Sequence, residues 1–335
     1  MHQIIHPLPG TFEICHDRRV PELVLPLGLR ALPGACVGDS VADEPRHVLN
    51  ALLRHAPIHP GIQARLGGVI AAAVAWPGGL FRYHLTRQMA QAFGASACQC
   101  DTFACAVEFF HIASLLLDDL PQMDDSSERR GRICPHLIYG EDVTILGALG
   151  LITRAYGLLG EMSASSEHSR EAHAFFEKCL GTSGMLNGQA RDLNYAQSKG
   201  GRKEAIAVAM GKTAPLLELA LSGPALLFGA PKRTLTLLRR LSIFWGLSYQ
   251  GADDLMDLAS NPGESRKTPG RDETLGRPNL ASLMDRNEAG HYLARLERRA
   301  KACIEELQGD HPQLHFLTSF QDLLRGRWNG HAVKR

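Results

Sequence analysis

The sequence predicts an all-α fold, a large helical bundle with a deep central cavity. From about Glu44 onward, apolar residues recur at spacings of three and four, which is the period of helices that bury one face. Connectors with glycine and proline separate these segments, and no sustained alternation of apolar and polar residues marks a strand. Hydrophobic residues make up 44% of the 335-residue chain, which is enough for a large core.

The chain divides into an extension and one helical domain. Residues 1–43 are rich in proline and glycine, so we expect an arm there rather than long helices. Residues 44–335 are expected to form a single all-α domain. Its helices are expected to begin near Glu44, Phe81, Asp101, Asp142, Ser169, Lys203, Lys232 and Asn287.

Composition excludes several classes of function. The net charge of +1 gives no sign of a nucleic-acid-binding surface. Eight cysteines without a CxxC pair are typical of free thiols in a reducing compartment, so we expect a cytoplasmic protein. No continuous apolar run reaches the roughly 18 residues of a membrane span, so we expect no transmembrane segment.

An acidic cluster ends the most apolar segment of the chain. Residues 101–117 are nearly all apolar, and Asp101 is expected to cap the start of this buried helix. Four carboxylates and two arginines follow it: Asp118, Asp119, Asp124, Asp125, Arg129 and Arg130. An isolated acidic pair is more often a solvated helix end, but the buried helix argues against that here. Oxygen ligands without histidine or cysteine favour Mg²⁺, whose shell substrate phosphates complete.

A second acidic site follows another apolar helix. Asp253 and Asp257 are four residues apart and therefore share one helical face. The polar loop at residues 261–279 can supply cations to a phosphate group. These cations are Lys267, Arg271 and Arg277. Polar residues at 189–192 and 211–213 also interrupt apolar helices, but the pattern assigns them no role. Two acidic clusters at the ends of apolar helices indicate one site for metal and phosphate.

At these motifs the sequence resembles the trans-isoprenyl diphosphate synthases, the short-chain polyprenyl synthase family of geranylgeranyl and farnesyl diphosphate synthases. Residues 118–124 match its first aspartate-rich motif, DDxxxxD, and residues 253–257 match the second, DDxxD. The resemblance extends from about Glu44 to the C-terminus. It implies the isoprenoid synthase fold, a homodimer, three Mg²⁺ ions and the condensation of an allylic diphosphate with isopentenyl diphosphate.

The resemblance also assigns roles to residues at matching positions. The catalytic residues are Asp118, Asp119, Asp124, Asp253, Asp254 and Lys212. The Mg²⁺ ligands among them are Asp118, Asp124 and Asp253. The residues implied on the allylic diphosphate are Arg129, Lys212, Thr213, Gln250 and Lys267. The residues implied on isopentenyl diphosphate are His111, Arg130 and Arg82.

One motif departs from the family. The GGKxxR motif supplies a lysine and an arginine to isopentenyl diphosphate, and residues 78–83 read GGLFRY here. Leu80 takes the lysine position, and Arg82 is one residue out of register. The loss of one charge-assisted hydrogen bond weakens such a site by about 1.5–3 kcal/mol. The candidates to replace the missing cation are Arg87, Arg325 and Arg327.

Product length in this family depends on the residues beneath the first motif. Helical spacing places Ala113 and Ser114 about one turn below Asp118, and Phe109 and Phe110 about two turns below. Small residues one turn down leave room for more than a C15 chain, and the phenylalanines stop growth near C20. We therefore predict geranylgeranyl diphosphate as the product.

Three alternatives stay open. The first is a farnesyl diphosphate synthase. The second is a non-catalytic partner subunit of a synthase, which the altered GGKxxR motif favours and the intact acidic motifs disfavour. The third is a class I terpene cyclase, which pairs its aspartate-rich motif with an Asn/Ser/Glu metal triad that residues 254–261 lack.

Overall fold

A computed structural model describes most of the chain from residue 44 onward. The described residues are 44–164, 166–198, 200–259, 276–280, 282–284 and 286–332. The expected arm at residues 1–43 lies outside them, as do Lys267 and Arg271. The division at residue 44 stays a prediction, although the first described helix begins there.

Helices make up about three quarters of the described chain, with little strand, so the all-α prediction is confirmed. They are α1 (Glu44–His55), α2 (Ala64–Ala75), α3 (Phe81–Ala92), α4 (Ala97–Asp118), α5 (Pro135–Tyr139), α6 (Glu141–Ser163), α7 (Ser169–Leu180), α8 (Met185–Leu193), α9 (Arg202–Leu227), α10 (Lys232–Ala259), α11 (Arg286–Asp310) and α12 (Leu317–Ala332). Short 3₁₀ turns cover Tyr195–Gln197 and Pro312–Phe316. The described strands, β1 (Glu128–Arg129) and β2 (Arg132–Ile133), form one antiparallel hairpin.

Helix α4 is central to the bundle. It packs against α3, α6 and α9, and also contacts α1 and α2. Its residues from Phe103 to Val107 are completely buried. A helix that is apolar all round is buried on every side, so the sequence pattern and the packing agree. The rise of 1.5 Å per residue makes α4 about 33 Å long, and its C-terminal end carries Asp118.

The start of α4 differs from the prediction. The helix begins at Ala97, because Ser96 and Gln99 form a capping box around its first turn. The expectation that Asp101 caps the helix is therefore wrong. Asp101 lies one turn inside, where its carboxylate accepts hydrogen bonds from the Tyr83 hydroxyl at 3.2 Å and Arg87 Nε at 2.9 Å. This network ties α3 to α4.

Helices α8 and α9 cross at two glycines. A Cβ atom at Gly188 would lie 2.0 Å from the carbonyl carbon of Gly211, so no larger residue fits without moving a helix. The next residues along the two helices are Gln189 and Lys212. The close crossing therefore brings these two polar side chains to the same end of the bundle.

Replacing Gly188 with alanine is expected to destabilise the fold by about 1–3 kcal/mol or more, because the new methyl group overlaps backbone atoms of α9. The matched control is Gly160→Ala in α6, where a Cβ meets no atom within 4 Å. This control is expected to be neutral or to stabilise by about 0.5–1 kcal/mol, since alanine favours the helix. Thermal unfolding measures both changes. Equal melting temperatures for Gly188→Ala and Gly160→Ala would contradict the close contact between α8 and α9 at Gly188.

A second, smaller core holds the C-terminal end of α10, where the second acidic motif lies. Its buried residues come from α9, α10, α11 and the segment before α11. They are Ala205, Ala209, Leu247, Leu280, Met284, Ala289, Leu293 and Leu296. Gly251 lets α10 approach α11, because a Cβ there would lie 2.9 Å from Leu293 Cδ2. This core fixes the position of the second motif relative to α9.

Three helices are long and apolar enough to cross a membrane, judged by length and composition alone. They are α4, α6 and α9. Other helices enclose much of α4 and α9, with 78% and 61% of their most apolar windows buried, compared with 44% for α6. The exposed large apolar residues of α6 are Ile145, Leu146, Leu149 and Tyr156. The expectation of no transmembrane segment stays a prediction.

Candidate active site

The first acidic motif folds back on the end of α4. The Asp124 N–H donates to the Asp118 carbonyl at 2.9 Å, and the Ser126 N–H donates to the Asp119 carbonyl at 3.1 Å. These backbone bonds place Asp124 beside Asp118. The two carboxylates are close enough for the charge of Asp124 to raise the pKa of Asp118.

Asp118 lies in a mostly buried position among polar partners. Burial is the main cause that raises its pKa to about 6, and Asp124 adds to this effect while Lys212 and Arg129 oppose it. Gln189 Nε2 of α8 donates to Asp118 Oδ1 at 2.8 Å. A carboxylate whose charge is disfavoured in this way gains stability from a nearby cation.

Asp119 turns away from Asp118 and holds Arg129. Arg129 Nε donates to both Asp119 carboxylate oxygens at 2.8 Å, and Arg129 Nη2 lies 2.6 Å from Oδ1. Asp119 is only 2% exposed. The structure therefore places Asp119 as a positioning residue for Arg129.

The β1–β2 hairpin separates the two arginines of the first motif. Its two-residue turn needs positive φ at both positions, which are Arg130 at 55° and Gly131 at 74°. Arg129 consequently stays with Asp119, while Arg130 extends towards the start of α3 and donates from Nη1 to the Pro77 carbonyl at 2.9 Å. The hairpin thus places Arg129 beside Asp119 and Arg130 near the start of α3.

Asp254 of the second motif is buried and hydrogen-bonded within the protein. It is 1% exposed, and its Oδ1 accepts from Gln250 Nε2 at 2.8 Å. Its Oδ2 accepts from the Leu280 backbone N–H at 2.7 Å. Gln250 Oε1 in turn accepts from the Thr213 hydroxyl at 3.4 Å. Asp254 therefore positions Gln250 and the segment after the loop, whereas Asp253 beside it is half-buried.

Residues 277–280 connect the two acidic motifs. Arg277 Nη2 donates to the Met123 carbonyl at 2.9 Å and lies 3.4 Å from Asp124 Oδ1. Three residues later, Leu280 binds Asp254 of the second motif. The two motifs therefore face each other at one end of the bundle.

Lys212 of α9 supplies a cation between the motifs. Its Nζ donates to Asp192 Oδ2 at 2.8 Å. Burial acts to lower its pKa, but Asp118, Asp192 and Asp124 together outweigh burial, so the pKa is raised and Lys212 is charged. Asp192 and Gln189 complete this group, although the sequence showed them only as polar interruptions of apolar helices.

A second polar group lies on the α3 side of the motifs. It contains Arg82, Arg130, His111 and Glu108. Burial and the neighbouring arginines, Arg82 first among them, hold the pKa of His111 well below its ordinary value, so the ring is neutral. Burial raises the pKa of Glu108 to about 7, although Arg82 and Arg130 act to lower it.

The chain is similar to known proteins in both sequence and fold. The family model described as polyprenyl synthetase matches residues 63–308. The chain belongs to the polyprenyl synthetase family. Its fold is also that of a Helicobacter pylori geranyltransferase solved with magnesium and isoprenyl diphosphate, with a TM-score of 0.75, 23% identity, and coverage of 85% of this chain and 96% of that one.

Relatives in the polyprenyl synthetase family have about one third of their aligned residues in common with this chain. A chloroplastic geranylgeranyl pyrophosphate synthase of Capsicum annuum is 35% identical over 205 residues, which are 60% of this chain and 56% of that protein. A farnesyl diphosphate synthase of Bacillus subtilis is 33% identical over 217 residues, which are 64% of this chain and 73% of that protein. The chain thus spans little more than half the length of the pepper relative.

The altered polyprenyl synthetase motif at residues 78–83 keeps one cation near the site. The candidate replacements lie elsewhere or outside the described side chains. Arg87 pairs with Asp101 at 2.9 Å, Arg325 pairs with Glu297 at 3.1 Å, and the side chain of Arg327 lies outside the described residues. Arg82 is therefore the cation of this motif that belongs to the second polar group.

The predicted chain-length residues lie along α4 as their spacing requires. Phe109 and Ala113 are completely buried, and the ring of Phe110 packs edge-on against Tyr156 of α6 at 5.1 Å. The Ser114 hydroxyl donates to the His111 carbonyl at 2.8 Å. The two cavities measured in the described chain lie away from these residues, so the deep central cavity stays a prediction.

The acidic residues suit a metal ion that a ligand helps to hold. All predicted metal ligands offer carboxylate oxygens, which Mg²⁺ prefers. Among the described residues, no three His, Cys, Asp or Glu side chains are close enough to hold an ion unaided. Mg²⁺ commonly binds through one or two carboxylates and substrate phosphates, so this arrangement fits it.

Glu108 is expected to stabilise the metal-free protein more as the pH falls from about 7 towards 4.5. Its pKa is raised from 4.5 to about 7, so the folded state holds this proton more tightly across that window. Asp118 acts in the same direction between about 6 and 3.8, whereas buried His84 and His111, whose pKa values are lowered, act in the opposite direction below about 6.5. Lowering the pH from 7 to 4.5 in EDTA should therefore shift the melting temperature of Glu108→Gln downwards relative to that of the unaltered protein, and identical profiles would contradict the prediction.

Proposed function

We propose that the protein is a Mg²⁺-dependent prenyltransferase that condenses an allylic diphosphate with isopentenyl diphosphate and forms geranylgeranyl diphosphate. The observation that carries this proposal is the pair of acidic motifs that face each other through residues 277–280. Lys212 lies between them as a charged lysine. The names of the pepper and Bacillus relatives support geranylgeranyl diphosphate as the product and farnesyl diphosphate as the alternative.

Asp118, Asp124 and Asp253 are the residues that would hold the metal, with three Mg²⁺ ions as the proposed number. When bound, Mg²⁺ supplies positive charge that stabilises a departing pyrophosphate. Lys212, Arg129 and the family-implied Lys267 would bind the oxygens of the allylic diphosphate. Asp119 keeps Arg129 in place for that role through its paired hydrogen bonds.

The second polar group would hold isopentenyl diphosphate next to the allylic substrate. Arg82, Arg130 and neutral His111 offer donors to its diphosphate. The allylic C–O bond breaks with its electrons on pyrophosphate, the double bond of isopentenyl diphosphate attacks C1, and the adduct loses a proton to pyrophosphate. Preorganised charge around both diphosphates accounts for most of the rate enhancement in such a site.

Replacing Phe110 or Phe109 with alanine is expected to lengthen the main product beyond C20, because each change removes a ring from the floor two turns below Asp118. The matched control is Phe103→Ala, a buried phenylalanine deeper in α4. It is expected to lower stability by about 3–5 kcal/mol without changing product length. Chromatography measures the chain length of the products. An unchanged C20 product in both Phe109→Ala and Phe110→Ala would contradict the proposal that these rings limit chain length.

The direct test of the proposed function is an assay of the purified chain with Mg²⁺, isopentenyl diphosphate and allylic primers from C5 to C15. A C20 diphosphate is the expected product. A C15 end product from the C5 and C10 primers would indicate a farnesyl diphosphate synthase. A cyclic hydrocarbon from a single prenyl diphosphate would indicate a terpene cyclase. No product from the chain alone would favour the second candidate, a partner subunit, which the leucine at position 80 favours.

A homodimer in the cytoplasm is the proposed state of the protein. The exposed apolar residues of α6, among them Leu146 and Leu149, form a surface that a second copy would cover. The six described cysteines are free thiols, which fits a reducing compartment. Sedimentation of the purified protein tests the dimer, and Leu146→Glu should shift it to monomer.

A further inference from the structure

Glu108 is a buried carboxylate without a side-chain hydrogen-bond partner. It lies on α4 and is 0% exposed, and no side chain donates to either of its oxygens. The Tyr83 backbone N–H lies close enough to lower its pKa, which places Glu108 beside the first turn of α3. An ionised carboxylate in such a place is costly unless opposite charges surround it. The residues near it therefore explain why the fold tolerates it.

Two arginines from different elements lie close enough to Glu108 for their charges to lower its pKa. Arg82 comes from the first turn of α3, and its Nε is buried without a partner. Its guanidinium lies 5.9 Å from the ring centre of Tyr249. Arg130 comes from the hairpin and lies across Gly78, where a Cβ would come within 1.8 Å of Nη1. The charges of both arginines favour the ionised form of Glu108.

The anchoring of α3 leaves Arg82 as the charged side chain of its first turn. Leu80 has a left-handed backbone with φ of 51°, and its side chain is 5% exposed in the main core. Phe81 packs edge-on against Trp245. Tyr83 is completely buried and bonded to Asp101. With these three side chains fixed in the core, Arg82 is the side chain of this turn whose charge acts on Glu108.

We propose that Glu108 is a positioning residue that holds Arg82 and Arg130 together as the anion-binding pair for the second diphosphate, in place of the missing lysine at position 80. This inference rests on the proposed function for the identity of that diphosphate. Two guanidinium groups repel each other when no anion lies between them. When ionised, the carboxylate offsets one positive charge, and the group then keeps a net charge of +1 for the ligand because His111 is neutral.

If Glu108 acts by positioning Arg82, then substituting Glu108 should weaken the binding of isopentenyl diphosphate only while Arg82 is present. Removing the negative charge leaves two arginines that repel each other, so isopentenyl diphosphate should bind more weakly although the site becomes more positive. A simple electrostatic effect predicts the opposite, namely tighter binding of the anion. A purely structural role predicts a lower melting temperature and a loss of both substrates together.

The experiment compares Glu108→Gln, Arg82→Gln, the double variant and Arg82→Lys with the unaltered chain. The matched control is Glu218→Gln, which neutralises a largely buried carboxylate of α9 that pairs with Lys178 and Arg239 away from the site. KM is measured for isopentenyl diphosphate and for the allylic primer, and calorimetry measures the binding of isopentenyl diphosphate alone. Thermal unfolding reports the stability of each variant.

Each single variant at the two positions is expected to raise KM and Kd for isopentenyl diphosphate about 10- to 100-fold, with KM for the primer changed less than about twofold. The double variant should match Arg82→Gln, and Glu218→Gln should leave both KM values unchanged. Tighter binding in Glu108→Gln, equal losses for both substrates, or additive effects in the double variant would overturn the proposal. Should Glu108→Gln not fold, an unchanged KM for isopentenyl diphosphate in Arg82→Lys overturns it.

The calorimetric measurement of isopentenyl diphosphate binding tests this inference independently of the condensation reaction. Weakened binding of isopentenyl diphosphate in Glu108→Gln, in a chain that forms no condensation product, would support the inference and refute the function. Normal condensation with unaltered binding in Glu108→Gln would refute the inference and leave the function intact. No measurable binding of isopentenyl diphosphate to the unaltered chain would refute the inference.

Discussion

Asp118→Asn should lower the turnover number for condensation at least about 1000-fold, since it removes charge that the proposed metal site needs in the transition state. Asp118 ends α4 beside Asp124, and Lys212 and Arg129 also lie close enough to affect its pKa. Asparagine keeps the size of the side chain and its bond with Gln189 at 2.8 Å in the unaltered protein. The variant is therefore expected to fold normally.

The control for Asp118→Asn is Glu128→Gln, an exposed carboxylate in the same segment. It changes the net charge equally, so it isolates the effect of position from that of charge. Its turnover number should stay within about twofold of the unaltered value. A loss smaller than about tenfold in Asp118→Asn would contradict the role of the first motif.

Lys212→Met is expected to lower both activity and stability. The change removes the cation between the motifs and leaves buried Asp192 without its 2.8 Å partner, which costs about 1–3 kcal/mol of unfolding free energy. The turnover number should fall about 100- to 1000-fold. Denaturant unfolding and the C15-primed assay measure the two effects.

Lys178→Met is the matched control for Lys212→Met. Lys178 is half-exposed and lies 3.6 Å from Glu218. Exposed pairs of this kind contribute about 0–1 kcal/mol, so stability and turnover should change little. Equal changes in stability and turnover number in Lys212→Met and Lys178→Met would contradict the proposed role of Lys212 at the acidic motifs.

The sequence predicted the features that depend on periodicity and local spacing. The apolar run before Asp118 predicted a buried central helix, and α4 is that helix. The four-residue spacing of the second motif predicted an acidic helical face, and α10 continues through that motif to Ala259. Such features are readable because a helix repeats at a fixed period, whatever its tertiary partners.

The sequence predictions failed where several neighbouring residues could make the same contact or where a helix has no clear two-faced pattern. Asp101 looked like an N-cap, but Ser96 with Gln99 offers the first turn a better cap and starts the helix earlier. Helices α2, α5, α8 and α12 were absent from the predicted starts. Among these, α8 is short and α2 is apolar over much of its length, so neither shows a clear two-faced pattern.

The different roles of the adjacent aspartates in each acidic motif could not be predicted from the sequence. Asp118 and Asp119 are adjacent and identical in type, yet only Asp119 pairs with Arg129. Asp253 and Asp254 differ in the same way, because Asp254 turns into the protein to bind Gln250 and Leu280. Adjacent helical residues point about 100° apart, so the tertiary partners decide which of them faces the site.

The most direct test of the facing motifs is calorimetric binding of farnesyl diphosphate with and without Mg²⁺. We expect farnesyl diphosphate to bind the unaltered protein strongly only when Mg²⁺ is present. We also expect at least about tenfold weaker binding in both Asp118→Asn and Asp253→Asn, since each motif holds the same diphosphate. Binding of equal strength without Mg²⁺, or unchanged binding in either variant, would contradict a shared diphosphate site at the two motifs.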